Sequence, residues 1–361
     1  QIFKNTTLKS EIGLDVYNTE DNRFYGRSTY YVQNTPSSEN QGHPAVILRD
    51  SKSERLRNTN TLNYDFKQFL SDDHSLNVLL GQEILQMESN YLETTVHGLP
   101  DKFTADQSFK LTSQGDAASI DNFYNPDDRL LSFFGRANYN FKGKYIFSAT
   151  FRADGSSKFS NDNHWGYFPS AAIAWRISDE SFMSWSKDWL NDMKVRFSYG
   201  TAGNNNIPSG LINQVFVSSS TEWINGTGNY WAPSKTMANP DLKWETTYTR
   251  NLGLDYTLLN NRLSGSLELY LNTTKDLLIA FPVGGTGYDT QYRNMGETQN
   301  KGIELSFNYI AVDKKDYGLS FNFNIGFNRN KIKDLGMMDN FGAESGWAST
   351  DIGVDYWVAK G

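Results

Sequence analysis

The sequence predicts an all-β fold: a membrane-spanning antiparallel β-barrel, with about twelve strands in this chain. Three observations carry that reading. Apolar and polar side chains alternate with a period of two, the joints between alternating segments are by turns short and long, and the segments match the height of a bilayer's apolar band.

The alternation is clearest near the end of the chain. Tyr317, Leu319, Phe321, Phe323, Ile325 and Phe327 share one parity, while Gly318, Ser320, Asn322, Asn324, Gly326 and Asn328 share the other. Alternate residues of a strand point to opposite faces, so this segment has one apolar and one amide-rich face. The same pattern places strands over 130–141, 144–154, 168–177, 193–201, 246–259, 262–274 and 300–311, with the last over 316–329. Earlier in the chain it places them at 7–17, 23–33, 60–70 and 75–85. Short joints fall at 18–22, 71–74, 142–143, 260–261 and 312–315; residues 178–192 are longer and read as including a short helix. Long joints fall at 34–59, 86–129, 155–167, 202–245 and 275–299. Short turns at one end and long loops at the other are how outer-membrane barrels are built, and soluble domains rarely carry several loops beyond about 15 residues. Strands of about 10–12 residues tilted by ~45° rise roughly 23–28 Å, the height of the ~25 Å apolar band. Phe141, Tyr145, Trp185 and Trp189 lie near the short-turn end, where an aromatic girdle is expected.

Composition agrees. No run approaches the roughly 18–20 apolar residues of a spanning helix. With 23 Phe, 20 Tyr and 9 Trp the chain has ample material to order. It has no cysteine, which excludes disulfide scaffolds, Cys-ligated zinc and thiol chemistry. A net charge of −7 without a basic stripe argues against nucleic acid as a partner. The sequence starts at Gln1 without a visible signal peptide and stops at Gly361 after an apolar-aromatic run, and it reads as a fragment.

Enzymatic signatures are absent. His43, His74, His97 and His164 stand far apart, with no zinc spacing. Gly284-Gly285-Thr286-Gly287 lacks the Lys-Ser/Thr of a phosphate cradle. No nucleophile elbow occurs. A carboxylate pair such as Asp154 with Asp162, and the acidic loop holding Asp101, Asp106, Asp116, Asp121, Asp127 and Asp128, read as solvated charge; the calcium-loop spacing is missing. The expectation is no enzyme, no metal and no cofactor.

Five motifs carry a family resemblance. Arg152-Ala153-Asp154-Gly155-Ser156-Ser157-Lys158-Phe159, Trp165-Gly166-Tyr167-Phe168-Pro169-Ser170, Ser198-Tyr199-Gly200-Thr201-Ala202-Gly203-Asn204, Asn239-Pro240-Asp241-Leu242-Lys243-Trp244-Glu245 and Asn300-Lys301-Gly302-Ile303-Glu304 occur in order at strand–loop junctions. Together they resemble the barrel of SusC/RagA-type TonB-dependent outer-membrane transporters. The clear resemblance covers roughly 130–330, and 1–129 fits by pattern alone. It implies a barrel of 22 strands around an N-terminal plug, with residues 1–361 as its central portion; plug, N-terminal extension and final strands are not seen here. It also implies import of glycan or peptide oligomers with a SusD-like surface lipoprotein, and contact with the TonB complex through the plug region. Membrane lipid and lipopolysaccharide are implied as surroundings. A passive porin or self-contained twelve-strand barrel, and a soluble β-rich carbohydrate-binding protein, are the alternatives.

The motif residues read as structural. Asp154-Gly155 and Gly200 to Gly203 are expected where strands leave the band, the glycines supplying positive φ, and Tyr167 and Trp244 at the outer interface. Arg152, Arg176, Arg196, Arg250 and Glu268 are expected on the lumen face. The ligand candidate is the long loop 203–245, where Trp223, Tyr230 and Trp231 stand among Asn225 and Asn229. Aromatic faces with amide donors and acceptors suit sugar rings or extended peptides, although packing within the loop or against a lid protein is the plainer reading of the same residues.

Overall fold

The structure is a computed structural model. It describes residues 4–34, 42–124, 127–220, 229–343 and 354–361, with the backbone alone at 68, 124, 218–220, 229–231 and 343. The main strands are β1 (Thr6–Tyr25), β2 (Ala45–Asp65), β3 (His74–His97), β4 (Asp116–Tyr124), β5 (Asp128–Phe141), β6 (Tyr145–Ser156), β7 (Trp165–Arg176) and β8 (Leu190–Asn204). The loop strands β9 (Phe216–Ser220), β10 (Asn229–Pro233) and β11 (Thr236–Met237) follow. Then come β12 (Glu245–Leu258), β13 (Leu263–Lys275), β14 (Leu278–Pro282), β15 (Thr290–Asn294), β16 (Glu297–Asp313), β17 (Gly318–Asp334), β18 (Asn340–Ala343) and β19 (Tyr356–Ala359). Among the described residues, helices are confined to α1 (Tyr30–Asn34), α2 (Ala105–Lys110) and a few 3-10 turns.

One 12-stranded sheet runs β1-β2-β3-β5-β6-β7-β8-β12-β13-β16-β17, with β4 added on β3. Nearly every neighbour is the next long strand in the chain, an up-and-down meander. Two residues of positive φ, Lys142 and Gly143, close the β5–β6 hairpin. The ladders keep apolar residues beside apolar residues: Tyr309 faces Phe321, Phe307 faces Phe323, Leu305 faces Ile325 and Ile303 faces Phe327. Those positions are continued by Leu267 and Leu269 on β13, Leu252 and Leu254 on β12, Phe197 and Val195 on β8, and Ile173 and Trp175 on β7. A one-residue slip would turn every one of them to the opposite face, so the pattern fixes the register. Much of this face is exposed, Phe327 and Ile173 by more than half, as lipid-facing residues are.

The chain divides into two compact units. One comprises residues 1–10, 59–83 and 131–361. The other comprises 11–58 and 84–130, and its core is Val46, Val96 and Leu99, with Phe24, Leu48 and Phe109 packed around them. In this second unit Thr104 caps α2 reciprocally with Gln107, and Leu99 N–H donates to Pro44 C=O at 3.1 Å.

Two expectations about elements are corrected. Residues 18–22 are not a turn: β1 runs through them to Tyr25, and 30–34 are helical. β2 begins at Ala45 rather than 60, and β3 runs on to His97. In these stretches polar and charged residues occupy both faces of the strand, which erases the apolar alternation although the ladder continues. The short helix expected in 178–192 is present as 3-10 structure, Ile177–Asp179 and Ser181–Ser186.

Candidate functional site

The polar face carries a built network of charge. On β8, Arg196 donates from Nε and Nη2 to the two oxygens of Asp255 on β12, both at 2.8 Å, and from Nη2 to Glu268 on β13 at 2.9 Å. Lys194 reaches the same Asp255 at 3.0 Å, and Asn251 Nδ2 donates to the other oxygen of Glu268 at 3.0 Å. Gly253 makes room for this: a β-carbon there would sit 2.9 Å from the guanidinium carbon. On β6, Arg152 Nε bonds both Asp154 oxygens at 2.7 and 2.9 Å, and Nη2 reaches Ser132 at 2.8 Å and Glu83 at 3.3 Å. Neutral pairs continue the face, with Ser266–Ser306 at 2.9 Å and Asn308–Asn322 at 2.8 Å. Charge-assisted, partly bidentate bonds of this kind hold side chains in fixed directions, which suits a wall past which polar solutes move.

Arg152, Arg176, Arg196 and Glu268 share the polar parity of their ladders. Arg250 does not. It stands opposite Tyr199 and Leu271, in line with Leu252 and Leu254, and is therefore on the apolar face, its guanidinium 5.7 Å from the Tyr199 ring centre.

At the long-loop end the motifs form a clamp. Asn239 Nδ2 donates to Tyr292 C=O at 2.8 Å, while its Oδ1 accepts from Asp241 N–H. Leu242 is fully buried. Asn294 brackets Lys243: its Oδ1 accepts from Lys243 N–H at 2.9 Å and its Nδ2 donates to Lys243 C=O at 2.7 Å and Asp276 C=O at 3.0 Å. Glu245 accepts from Leu278 N–H at 3.1 Å and from Asn204 Nδ2 at 3.0 Å. The loop of β14 and β15 is thereby tied to the roots of β8 and β12, and β15 also pairs in parallel with β11. Asn205 Nδ2 donates to Ser156 Oγ at 2.9 Å, joining a second motif to the same structure.

Trp244 is buried in this clamp, not set at an interface. Its Nε1 donates to His164 C=O at 2.9 Å, and its ring meets Phe159 and Phe168 at 5.4 Å each. Tyr167 is well exposed on the apolar face and stacks on Phe151. Pro169 faces Phe151 across the ladder, and its missing N–H sits on a strand where Thr201 Oγ1 donates to its carbonyl at 3.1 Å.

The motif glycines serve closeness rather than positive φ. Gly155, Gly200, Gly203 and Gly302 all lie outside the positive-φ set. A β-carbon on Gly155 would touch the Trp165 ring at 3.3 Å, one on Gly200 would press Ser170 at 2.8 Å, one on Gly203 would enter the Phe168 ring, and one on Gly302 would strike Phe327 C=O and Tyr270. A ring laid over a strand glycine covers backbone that would otherwise be bare.

The expected ligand residues fall where little is described. Asn229, Tyr230 and Trp231 lie on β10, opposite Ser220, Ser219 and Ser218 of β9. Trp223 and Asn225 lie outside the described residues. Sequence reasoning missed Glu83, Lys194, Asp255 and Asn294, because their partners are fixed by strand register rather than by sequence spacing.

A profile of the family described as TonB dependent receptor-like, beta-barrel, matches residues 3–359. The chain belongs to that TonB-dependent receptor family. It is an outer-membrane β-barrel protein. TonB-dependent receptor P26 of Formosa agariphila is 30% identical over 92% of this chain and 32% of its own length. TonB-dependent receptor SusC of Bacteroides thetaiotaomicron is 38% identical over 59% of this chain and 22% of its own. The RagAB peptide importer in its closed-closed state superposes with a TM-score of 0.77 at 28% identity, over 94% of this chain and 36% of that one. The chain thus spans about a third or less of the length of these TonB-dependent relatives.

Proposed function

We propose that the chain forms the central wall of an energy-coupled outer-membrane importer of glycan or peptide oligomers, working with a SusD-like surface lipoprotein. The likeness to the RagAB peptide importer along nearly the whole chain carries this reading. The polar face with its Arg196 and Arg152 networks lines the solute path, and the loops held by the rim clamp face the outside. The wall performs no covalent chemistry. TonB acts through a plug region, and release inward follows when that plug is pulled. The loop bearing Trp223, Asn225, Asn229, Tyr230 and Trp231 meets the oligomer or the lipoprotein.

The test is uptake of fluorescent oligopeptides and oligosaccharides by cells expressing the whole receptor, with and without TonB and the neighbouring lipoprotein. Uptake of one class that needs both supports the proposal. Uptake that survives loss of TonB points to a passive porin and overturns it.

A further inference from the structure

The apolar face ends abruptly in cations. On β12 the outward residues Leu258, Tyr256, Leu254 and Leu252 are followed by Arg250. On β16, Tyr309, Phe307, Leu305 and Ile303 are followed by Lys301, and on β17 Phe327 is followed by Arg329 and Lys331. The change falls at the same step of each ladder, because Arg250 lies opposite Leu271, Leu271 opposite Lys301, and Lys301 opposite Arg329. From Tyr309 to Lys301 the strand rises ~26 Å, or about 19 Å along the normal at a ~45° tilt. The cations therefore stand at the top of the apolar band, on the side of the long loops, at the height of outer-leaflet headgroups.

All four are exposed, and among the described residues none has a carboxylate partner. The acid of the same face, Glu297, is engaged by Lys275 at 3.5 Å. Like charges directly opposite on neighbouring strands, as Lys301 and Arg329 are, destabilise a ladder unless an anion lies between them. The polar face offers the contrast, since there each of Arg152 and Arg196 is matched by acids.

From this juxtaposition we propose that Arg250, Lys301, Arg329 and Lys331 form a site for the phosphoryl groups of an outer-leaflet glycolipid, lipopolysaccharide, whose acyl chains lie on Leu252, Leu269, Ile303 and Phe327 below. Arginine gives the planar, two-pronged donor that phosphate oxygens accept, and lysine a compact charge beside it. The proposal rests on the outer-membrane placement of the barrel but not on what the receptor imports.

The experiment extracts the whole receptor from outer membranes in mild detergent and measures hydroxylated fatty acid and lipid phosphate per barrel. The wild type should retain about one glycolipid. The variant Arg250→Gln, Lys301→Gln, Arg329→Gln, Lys331→Gln should retain at least fivefold less, and the charge-keeping exchange Lys301→Arg with Arg329→Lys should retain it. Should the fourfold variant fail to assemble, Lys301→Gln with Lys331→Gln reads the same quantity. Equal retention in the neutralised and wild-type barrels overturns the proposal. So does retention of anionic phospholipid alone, or binding of inorganic pyrophosphate with no lipid retained. Uptake of oligomers is measured in parallel, so loss of lipid at full transport and loss of transport at full lipid are told apart.

Discussion

The ring of Phe168 on β7 fills the space over Gly203 on β8 that a β-carbon would take. The same ring meets Trp244, so one aromatic side chain joins three motifs that are far apart in sequence.

Gly203→Ala should therefore destabilise the barrel by about 1–3 kcal/mol, the usual effect of overpacking, although Ala is no worse a strand residue than Gly. Shortening the ring in the double variant Gly203→Ala with Phe168→Leu should recover part of the loss. Urea midpoints of the refolded whole receptor check this; an unchanged midpoint in Gly203→Ala would mean that the ring moves aside freely.

Phe321→Arg places a charge on the lipid face opposite Tyr309, towards the short-turn edge of the band, and should cost ~1–2 kcal/mol, less than the ~2–4 kcal/mol of the midplane. Asn322→Arg, one residue on, turns to the polar face and loses the bond from Asn308, so its assembly should suffer far less. The measurement is the heat-modifiable fraction in outer membranes, and equal fractions for the two variants would reverse the assigned facing.

Removing Arg196 leaves Asp255 and Glu268 with their shared cation gone. Arg196→Met should lower stability by about 1.5–3 kcal/mol, the scale of a hydrogen bond to a charged group. Adding Glu268→Gln should return some of it by removing the one stranded charge, since Asp255 keeps Lys194 while Glu268 keeps only Asn251. Additive losses in the double-mutant cycle would show that Arg196 and Glu268 do not act together.

Glu180, in the short turn after β7, accepts from Tyr145 at 2.7 Å and from Trp175 Nε1 at 3.1 Å, with Lys144 at 3.5 Å. The hydroxyl of Tyr145, then the indole of Trp175, hold its carboxyl below the ordinary carboxylate range. A lowered pKa contributes stability that is fully present above the ordinary value and is lost as pH falls through the folded one. Glu180→Gln should consequently lower the thermal midpoint at neutral pH, and the two curves should converge in acid. A gap that is constant from neutral to strongly acid pH would remove the carboxylate from the account.

Trp223→Ala with Trp231→Ala should reduce oligomer binding about tenfold if each ring contributes on the order of 1 kcal/mol by stacking. Surface expression is quantified beside growth on the oligomer. Full growth at equal expression would return both residues to packing within the loop.

The fold was legible wherever one strand face had to be apolar, because lipid enforces a strict two-residue period; β16 and β17 are the clearest cases. It was illegible in β1 beyond residue 17 and in β2 before residue 60, where polar residues such as Asp50 and Lys52 sit on a ladder that needs no apolar face. Arg250 was misplaced because charge suggests the lumen, whereas its parity, shared with Leu252, puts it outside. The clamp was visible only as motifs. Nothing in Asn239 or Asn294 announces a partner about fifty residues away, since such partners are set by which strands become neighbours.

The bracket that Asn294 forms around Lys243 gives the β14–β15 loop a fixed root and a free tip. At Gly284, Gly285 and Gly287 an added β-carbon would meet nothing within 4 Å. The loop is a cantilever: its anchorage bears the mechanical demand, and its end is open to change of shape. A peptide tag or a fluorophore grafted between Val283 and Tyr288 should leave the barrel's unfolding midpoint where it was, so the tip can be re-engineered for a new contact without re-engineering the barrel beneath it.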